Sequence, residues 1–145
     1  MRIKNEMKLE FPSYSANESF ARIAVAAFFA QLDPTVEEIS DIKTAVSEAV
    51  TNCIVHGYAG KIGTVYVGAK IIKDNIAVIR VRDRGCGIAD VAQAMEPLFT
   101  TGTEERAGLG FTVMQSFMDT LQVESTVGEG TVVTMTKKVG ELFND

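Results

Sequence analysis

A chain of 145 residues, 46% apolar and 23% charged, has the size and make-up of one folded domain, and we expect residues 1–145 to form a single unit. Its 14 basic and 19 acidic side chains leave a net charge of −5, which excludes a nonspecific electrostatic grip on nucleic acid or on an anionic membrane. No run approaches the roughly 18 apolar residues of a membrane span, the start Met1–Glu6 lacks the apolar core of a secretion signal, the single histidine excludes metal sites built on two, and Cys53 and Cys86 read as free thiols of a reducing cytoplasm.

Met7 to Phe11 alternates apolar and polar residues and predicts a short edge strand. Asn17 or Ser15 can cap the next element, a helix over Phe20 to Leu32. On its wheel Phe20, Ile23, Ala27 and Phe28 form one apolar face, and Val25 and Phe29 lie nearer the opposite side beside Arg22. A helix apolar on two sides is buried on more than one side, so Val25, Phe29 and the edge residue Arg22 are expected to meet another protein.

Asp33-Pro34 starts a second helix, with proline in its first turn, Glu37 and Glu38 at its positive end, and a core stripe of Val36, Ile39, Ile42 or Lys43, Val46, Val50 and Cys53. It runs to about His56, with Gly57 as its stop. Thr64–Ile72 and Ile76–Arg82 read as a hairpin turned by Lys73-Asp74-Asn75, followed by a glycine-rich loop, Asp83 to Gly87. A short helix is expected over Ala89 to Met95, a mobile loop over Leu98 to Gly110, and a helix over Phe111 to Asp119. Leu121–Thr126 and Thr131–Val139 are strands joined by the turn Val127–Gly130. The order predicts an α/β fold: a two-layer sandwich of a mostly antiparallel mixed sheet with helices on one face.

Three segments carry candidate chemistry. Glu48, Asn52 and His56 recur at i, i+4 and i+8 and line one helix face, which is either a solvated stripe or the wall of a site. Asp83 ends a strand before Gly85 and Gly87; it can accept a hydrogen bond from a ligand amine, or close a tight turn through an Asx bond. Gly108-Leu109-Gly110 opens the third helix, either as a phosphate site or as a loop-to-helix hinge. The P-loop pattern is absent, and so is Gly-x-Gly-x-x-Gly, since Val113 takes its last place; the HRD and DFG triplets of ordinary protein kinases are also missing.

Taken in order, the helical Glu-x-x-x-Asn-x-x-x-His, the strand-ending Asp-x-Gly-x-Gly, the Gly-x-Gly at a helix and the Gly-x-Gly-Thr before a strand resemble the Bergerat-fold ATPases, which include gyrase B, the Hsp90 chaperones, MutL and the sensor histidine kinases. The segments Asn17–Arg22, Ala30–Thr35, Ser47–Asn52 with His56-Gly57-Tyr58, and Pro97–Thr101 are similar to the anti-sigma F factor family of endospore formers. That resemblance implies a small homodimeric serine kinase that uses ATP and Mg²⁺. It also implies two protein partners: a sporulation sigma factor, held inactive, and a small anti-anti-sigma antagonist, phosphorylated on a serine. Neither nucleic acid nor membrane is an expected partner.

The resemblance assigns Asn52 to Mg²⁺, Glu48 to the general base, and Asp83 to reading the adenine amine, with Gly85 and Gly87 in its loop. It assigns the Thr131 hydroxyl to supporting Asp83, and Thr100, Thr101, Gly108, Leu109 and Gly110 to the nucleotide, with Leu98 to Ala107 as its lid. Arg106 is a further candidate for the γ-phosphate charge, and Arg22 for partner contact. His56 is expected to support the site through a hydrogen bond; as the only histidine, and one inside the nucleotide motif, it leaves no separate phosphoacceptor for a self-contained sensor histidine kinase. Two other readings are an ATP-gated binding module without kinase activity and an ATP-hydrolysing piece of a larger machine. The carboxylate at position 48 disfavours the first, and the short stretch after the last strand disfavours the second.

Overall fold

Ten residues at the start, Ile3–Pro12, form strand β1, which runs past the expected Met7–Phe11 at both ends and lies at one edge of a sheet. The computed structural model describes residues 2–96 and 103–140 of the chain. After β1 come helix α1 (Ala16–Phe29), a 3-10 turn (Ala30–Leu32) and helix α2 (Val36–Asn52), which ends in a π-helical turn over Cys53–Gly57. Strands β2 (Thr64–Ile72) and β3 (Ile76–Asp83) form the expected hairpin, and Asp74 and Asn75 take left-handed φ values of 69° and 57° in its turn. A short helix α3 (Val91–Ala94), helix α4 (Thr103–Phe117) and strands β4 (Thr120–Thr126) and β5 (Gly130–Lys138) complete the described elements.

The sheet order is β1-β2-β3-β5-β4. The sheet expected to be mostly antiparallel is antiparallel at every pairing. One face is apolar: Val65, Val67, Ala69 and Ile71 of β2 and Ala77, Ile79 and Val81 of β3 are buried beneath the helices. The other face carries Glu6, Lys8 and Glu10 of β1, Tyr66 and Lys70 of β2, and Arg80 and Arg82 of β3. The guanidinium groups of Arg82 and Arg84 sit 5.7 and 5.1 Å from the centre of the Tyr66 ring. This alternation is the signature of a sheet packed on one side.

Helix α1 uses the face opposite to the one expected. Ala21, Val25 and Phe29 are fully buried, whereas Phe20 and Ile23 are 54% and 58% exposed. Both stripes have helical periodicity; the buried one contains the small Ala21 and Ala26, which let the helix backbone approach its neighbours closely. Arg22 therefore lies on the side of the buried stripe, half-exposed, with Nε 3.4 Å from the Glu18 carboxylate and Nη2 donating to Ser19 Oγ at 3.3 Å. The exposed apolar stripe is Phe20 and Ile23, not Val25 and Phe29.

Helix α2 also starts differently. Thr35, not a residue before Pro34, is its cap: Glu38 N donates to Thr35 Oγ1 at 3.0 Å, and Thr35 N donates to Glu38 Oε1 at 2.8 Å. This capping box satisfies amides that the first turn leaves orphaned. Val36, placed in the core stripe by periodicity, is 86% exposed; burial on this stripe becomes complete at Ile42. Asn17 caps nothing and instead donates to the Pro12 carbonyl at 2.9 Å.

The reversal of α1 sets a direct comparison. Phe29→Ala is expected to cost about 3–5 kcal/mol of unfolding free energy, as for a fully buried aromatic, and Ile23→Ser to stay within about 0.5 kcal/mol. Urea unfolding of both variants measures this, and the opposite ranking would return Ile23 to the core.

Candidate functional site

The C-terminal end of α2 builds one wall. Glu48 and Asn52 stand one turn apart on the helix and are half-buried. Beyond Asn52 the backbone widens: Tyr58 N donates to Cys53 O at 3.0 Å, five residues back. Such π-turns shift the side chains that follow relative to an α-helical spacing. His56 sits in this turn, so it does not continue the i+4 line of Glu48 and Asn52, although it still borders the same space as Asn52.

The end of β3 builds the facing wall. Asp83 is 4% exposed, one of two buried polar side chains among the described residues. Its Oδ1 accepts from Gly85 N at 2.9 Å, the Asx bond foreseen as one of two roles. Burial pushes the Asp83 carboxyl above its ordinary value, and the hydrogen bond from the Gly85 amide offsets part of this. Burial likewise pushes the Cys53 thiol well up, with the neighbouring Asp83 charge adding to it.

The two walls touch through glycines. A Cβ on Gly57 would lie 2.6 Å from Asp83 Oδ2, and one on Gly85 would lie 2.0 Å from the Gly57 carbonyl oxygen. No side chain fits at either position. Gly57 ends the helical turn, as expected, and is also the point where this helix end meets the carboxylate. Cys86 N donates to that same carbonyl at 2.9 Å, and Cys86 Sγ to the His56 carbonyl at 3.2 Å. Tyr58 bonds through its hydroxyl to the Thr64 carbonyl and accepts from Arg84 N at 2.8 Å, fastening the β2 end to the loop.

Between the walls lies a cavity of about 560 Å³, bordered by Asn52, His56, Gly57, Asp83, Gly87 and Thr131. That is the size of a small-molecule site. An adjoining cavity of about 250 Å³ shares Asn52 and His56 and adds Glu48, Leu109 and Gly110. A Cβ on Gly110 would lie 3.1 Å from Glu48 Oε2 and 3.3 Å from the Asn52 amide nitrogen, so glycine lets α4 approach both side chains. The Asn52 nitrogen is buried and has no hydrogen-bond partner among the described residues.

The structure thus brings Glu48, Asn52, His56, Leu109 and Gly110 around the smaller cavity, and Asn52, His56, Asp83, Gly87 and Thr131 around the larger. Gly85 packs under Gly57 and does not border the larger cavity. Two expectations change. The Gly108-Leu109-Gly110 segment does not open a helix, because α4 begins at Thr103; Thr103-Glu104-Glu105-Arg106-Ala107 combines good helix formers with acids near the N-terminus. The Thr131 hydroxyl bonds to Ser125 Oγ at 2.8 Å and not to Asp83, which Thr131 faces as its neighbour across the β3–β5 pairing. Ser125 had no sequence signal; it accepts from Ile88 N at 2.8 Å and donates to Gly130 O at 3.0 Å, tying the loop to the β4–β5 hairpin. Thr100, Thr101, the Leu98–Gly102 part of the expected lid and the Arg106 side chain lie outside the described residues. Arg22 is on α1 and borders neither cavity.

The buried carboxyl makes a pH prediction. Its folded-state pKa stands above the ordinary 3.8, so the folded chain keeps this proton where the unfolded chain has lost it. Its contribution to stability is fully present below 3.8 and is lost as pH rises through the raised value. The stability of the wild type relative to Asp83→Asn, from urea unfolding, should therefore fall as pH rises from 3.8 through the raised value. A flat difference would mean that burial does not perturb the group.

Residues 11–137 match the family model described as a histidine kinase-like ATPase domain. The anti-sigma F factor of Caldanaerobacter subterraneus subsp. tengcongensis is 64% identical over 141 residues, 97% of this chain and 98% of that one. The anti-sigma F factor of Geobacillus thermodenitrificans is 51% identical, covering 96% of each chain. Among solved structures, RsbU and RsbW domains from Mycobacterium tuberculosis superpose with a TM-score of 0.68 at 20% identity, over 94% of this chain and 32% of that one. The histidine kinase domain of a blue-light activated kinase from Erythrobacter litoralis gives 0.56 at 17% identity, over 90% and 63%. These two structures bear on the fold, and they agree with the one-sided sheet. With its matched domain and its full-length relatives, the chain belongs to the anti-sigma F factor family of histidine kinase-like ATPase domains.

Proposed function

We propose that this chain is an ATP-dependent protein serine kinase and anti-sigma factor, acting in the cytoplasm as a homodimer. In this reading it holds a sporulation sigma factor inactive in the ATP-bound form and phosphorylates a serine of a small anti-anti-sigma antagonist. The observation that carries the reading is the pair Glu48–Asn52, set against Gly110 at one end of a cavity whose other end is the buried Asp83.

The adenine occupies the larger cavity, and Asp83 accepts from its exocyclic amine. A guanine presents a carbonyl there and is rejected, because two acceptors face each other. The phosphates extend past Asn52 and His56 toward the smaller cavity. The residues fit Mg²⁺: Asn52 has an amide with an unused buried nitrogen, and its oxygen is a hard donor that the ion accepts beside phosphates and water. An ion held there would neutralise phosphate charge. Glu48 lies one turn from Asn52 and faces α4, where it takes the proton of the antagonist's serine hydroxyl as that oxygen reaches the γ-phosphate. Arg106, Thr100 and Thr101 remain proposed contacts of the phosphates, together with Gly108.

Glu48→Gln keeps size and leaves Asn52 in place. It is expected to retain Mg-ATP and sigma binding and to lose phosphotransfer to the antagonist by roughly 10²–10⁴-fold. Transfer near the wild-type rate, measured with radiolabelled ATP and purified antagonist, removes Glu48 from the role of base. Retained sigma binding with lost transfer also separates this reading from an ATP-gated module that never moves a phosphate.

Arg22 is the proposed partner contact on α1, half-exposed at the edge of the helix. Arg22→Ala is expected to leave ATP binding intact and to weaken sigma or antagonist binding by at least about 1 kcal/mol. Unchanged affinity for both partners, with ATP and with ADP, would leave Arg22 as a helix-surface residue bonded to Glu18 and Ser19.

A further inference from the structure

Phosphates are highly charged and gain nothing from an aliphatic wall. Yet Val55, 42% exposed, and Leu109, 51% exposed, both border the smaller cavity, at the end proposed for the phosphates. They come from different elements, Val55 from the π-turn that ends α2 and Leu109 from α4. The half-buried Val113, one turn after Leu109, borders the same space, and so does Glu48. A single exposed apolar side chain needs no explanation; two that converge on a cavity beside a carboxylate mark a place for something apolar. At about 250 Å³ this cavity is smaller than a whole small-molecule site and suits a side chain or two. A hydroxyl that gives its proton to Glu48 has to be carried here by its own chain, whose neighbouring side chains enter with it. The occupant that accounts for both the carboxylate and the aliphatic pair is a protein segment holding a serine with an apolar side chain close by.

We infer that Val55 and Leu109 form an acceptor subsite: they seat an apolar side chain close in sequence to the serine of the antagonist, and so deliver the serine hydroxyl to Glu48. The inference rests on the proposed phosphotransfer to that antagonist. Neither residue takes part in a bond that forms or breaks. Leu109 contributes its side chain alone, and the phosphate contact proposed for Gly108 is unaffected.

Transfer kinetics with purified antagonist as the varied substrate are measured on the full chain, as wild type, Val55→Thr, Leu109→Asn and the double variant. Both substitutions make the surface polar with little change in size. Calorimetry with Mg-ATP reads nucleotide affinity on the same proteins, and binding to the purified sigma factor reads the other partner. In the double variant the antagonist KM should rise roughly 10- to 100-fold, the range for losing the burial of one aliphatic side chain. The kcat at saturating antagonist and the affinity for Mg-ATP should stay within about 2-fold, as for an interaction made by bound substrate and transition state alike. Val55→Ile and Leu109→Met keep the surface apolar and should keep KM near the wild-type value. Should a polar variant unfold, Val55→Ala and Leu109→Ala take its place.

An unchanged KM overturns the inference. Mg-ATP affinity that falls as far as KM rises overturns it too, since the pair then serves the nucleotide or a segment that closes over it. Weakened sigma binding with an unchanged antagonist KM assigns the pair to the sigma factor instead. A fall in kcat alone is the effect of a displaced Glu48 and also overturns it. A wild type that transfers no phosphate to the antagonist is a different failure: it removes the proposed kinase reading, and this subsite with it.

Discussion

A carboxylate buried at the end of an interior strand must be surrounded by donors, and much of the local structure around Asp83 meets that requirement. The loop after β3 turns back so that Gly85 N reaches Oδ1. The end of α2 widens into a π-turn, which brings Gly57 against the carboxylate. Glycine at 57 and at 85 follows from that closeness, because a methyl group at either position would overlap an oxygen. The sheet order and the helix caps could be kept with a different residue at 83, but these contacts could not.

The two ends of the site are made in different ways. At the Asp83 end, positions are set around one buried group by the Gly85 amide that donates to it and by the close approach of Gly57. At the Glu48 end, positions are set by two helices packing through a glycine, with Glu48 and Asn52 half-buried and Leu109 exposed. The first arrangement is stiff, since rotating the carboxylate breaks its hydrogen bond and runs into the Gly57 backbone. The second leaves polar side chains beside open space, which suits groups that have to meet a second protein as well as a nucleotide.

Most strands and helices were legible in the sequence because their patterns are local. The β2–β3 hairpin, its turn, and the alternation of both strands follow from neighbouring residues. The packing face of α1 was not legible, since two apolar stripes compete on one helix and the choice depends on whether its alanines can reach a neighbour. The start of α4 was missed because glycines were weighed above the helix-forming residues before them. Within the site, Glu48, Asn52 and Asp83 were legible from spacing and from residue type at an element's end. Gly57, Tyr58 and Ser125 were not read as site residues, because each matters through a contact with a segment distant in sequence: Asp83, Arg84 or the β4–β5 turn.

The strand order also bears on how the chain assembles as it leaves the ribosome. β1 pairs with β2, so the first strand has no partner until both helices and residues 64–72 have been made. The α1–α2 pair and the β2–β3 hairpin, by contrast, close over short stretches and can form early. Asp83 waits longer still, because Thr131 lies on β5, beyond α4 and β4. Until β5 docks, Asp83 lacks its neighbouring strand and the larger cavity lacks one of its walls. Capture of a ligand in that cavity therefore comes after sheet closure, and nascent chains that stop short of residue 131 carry the helix-borne half of the site without the half that reads the base.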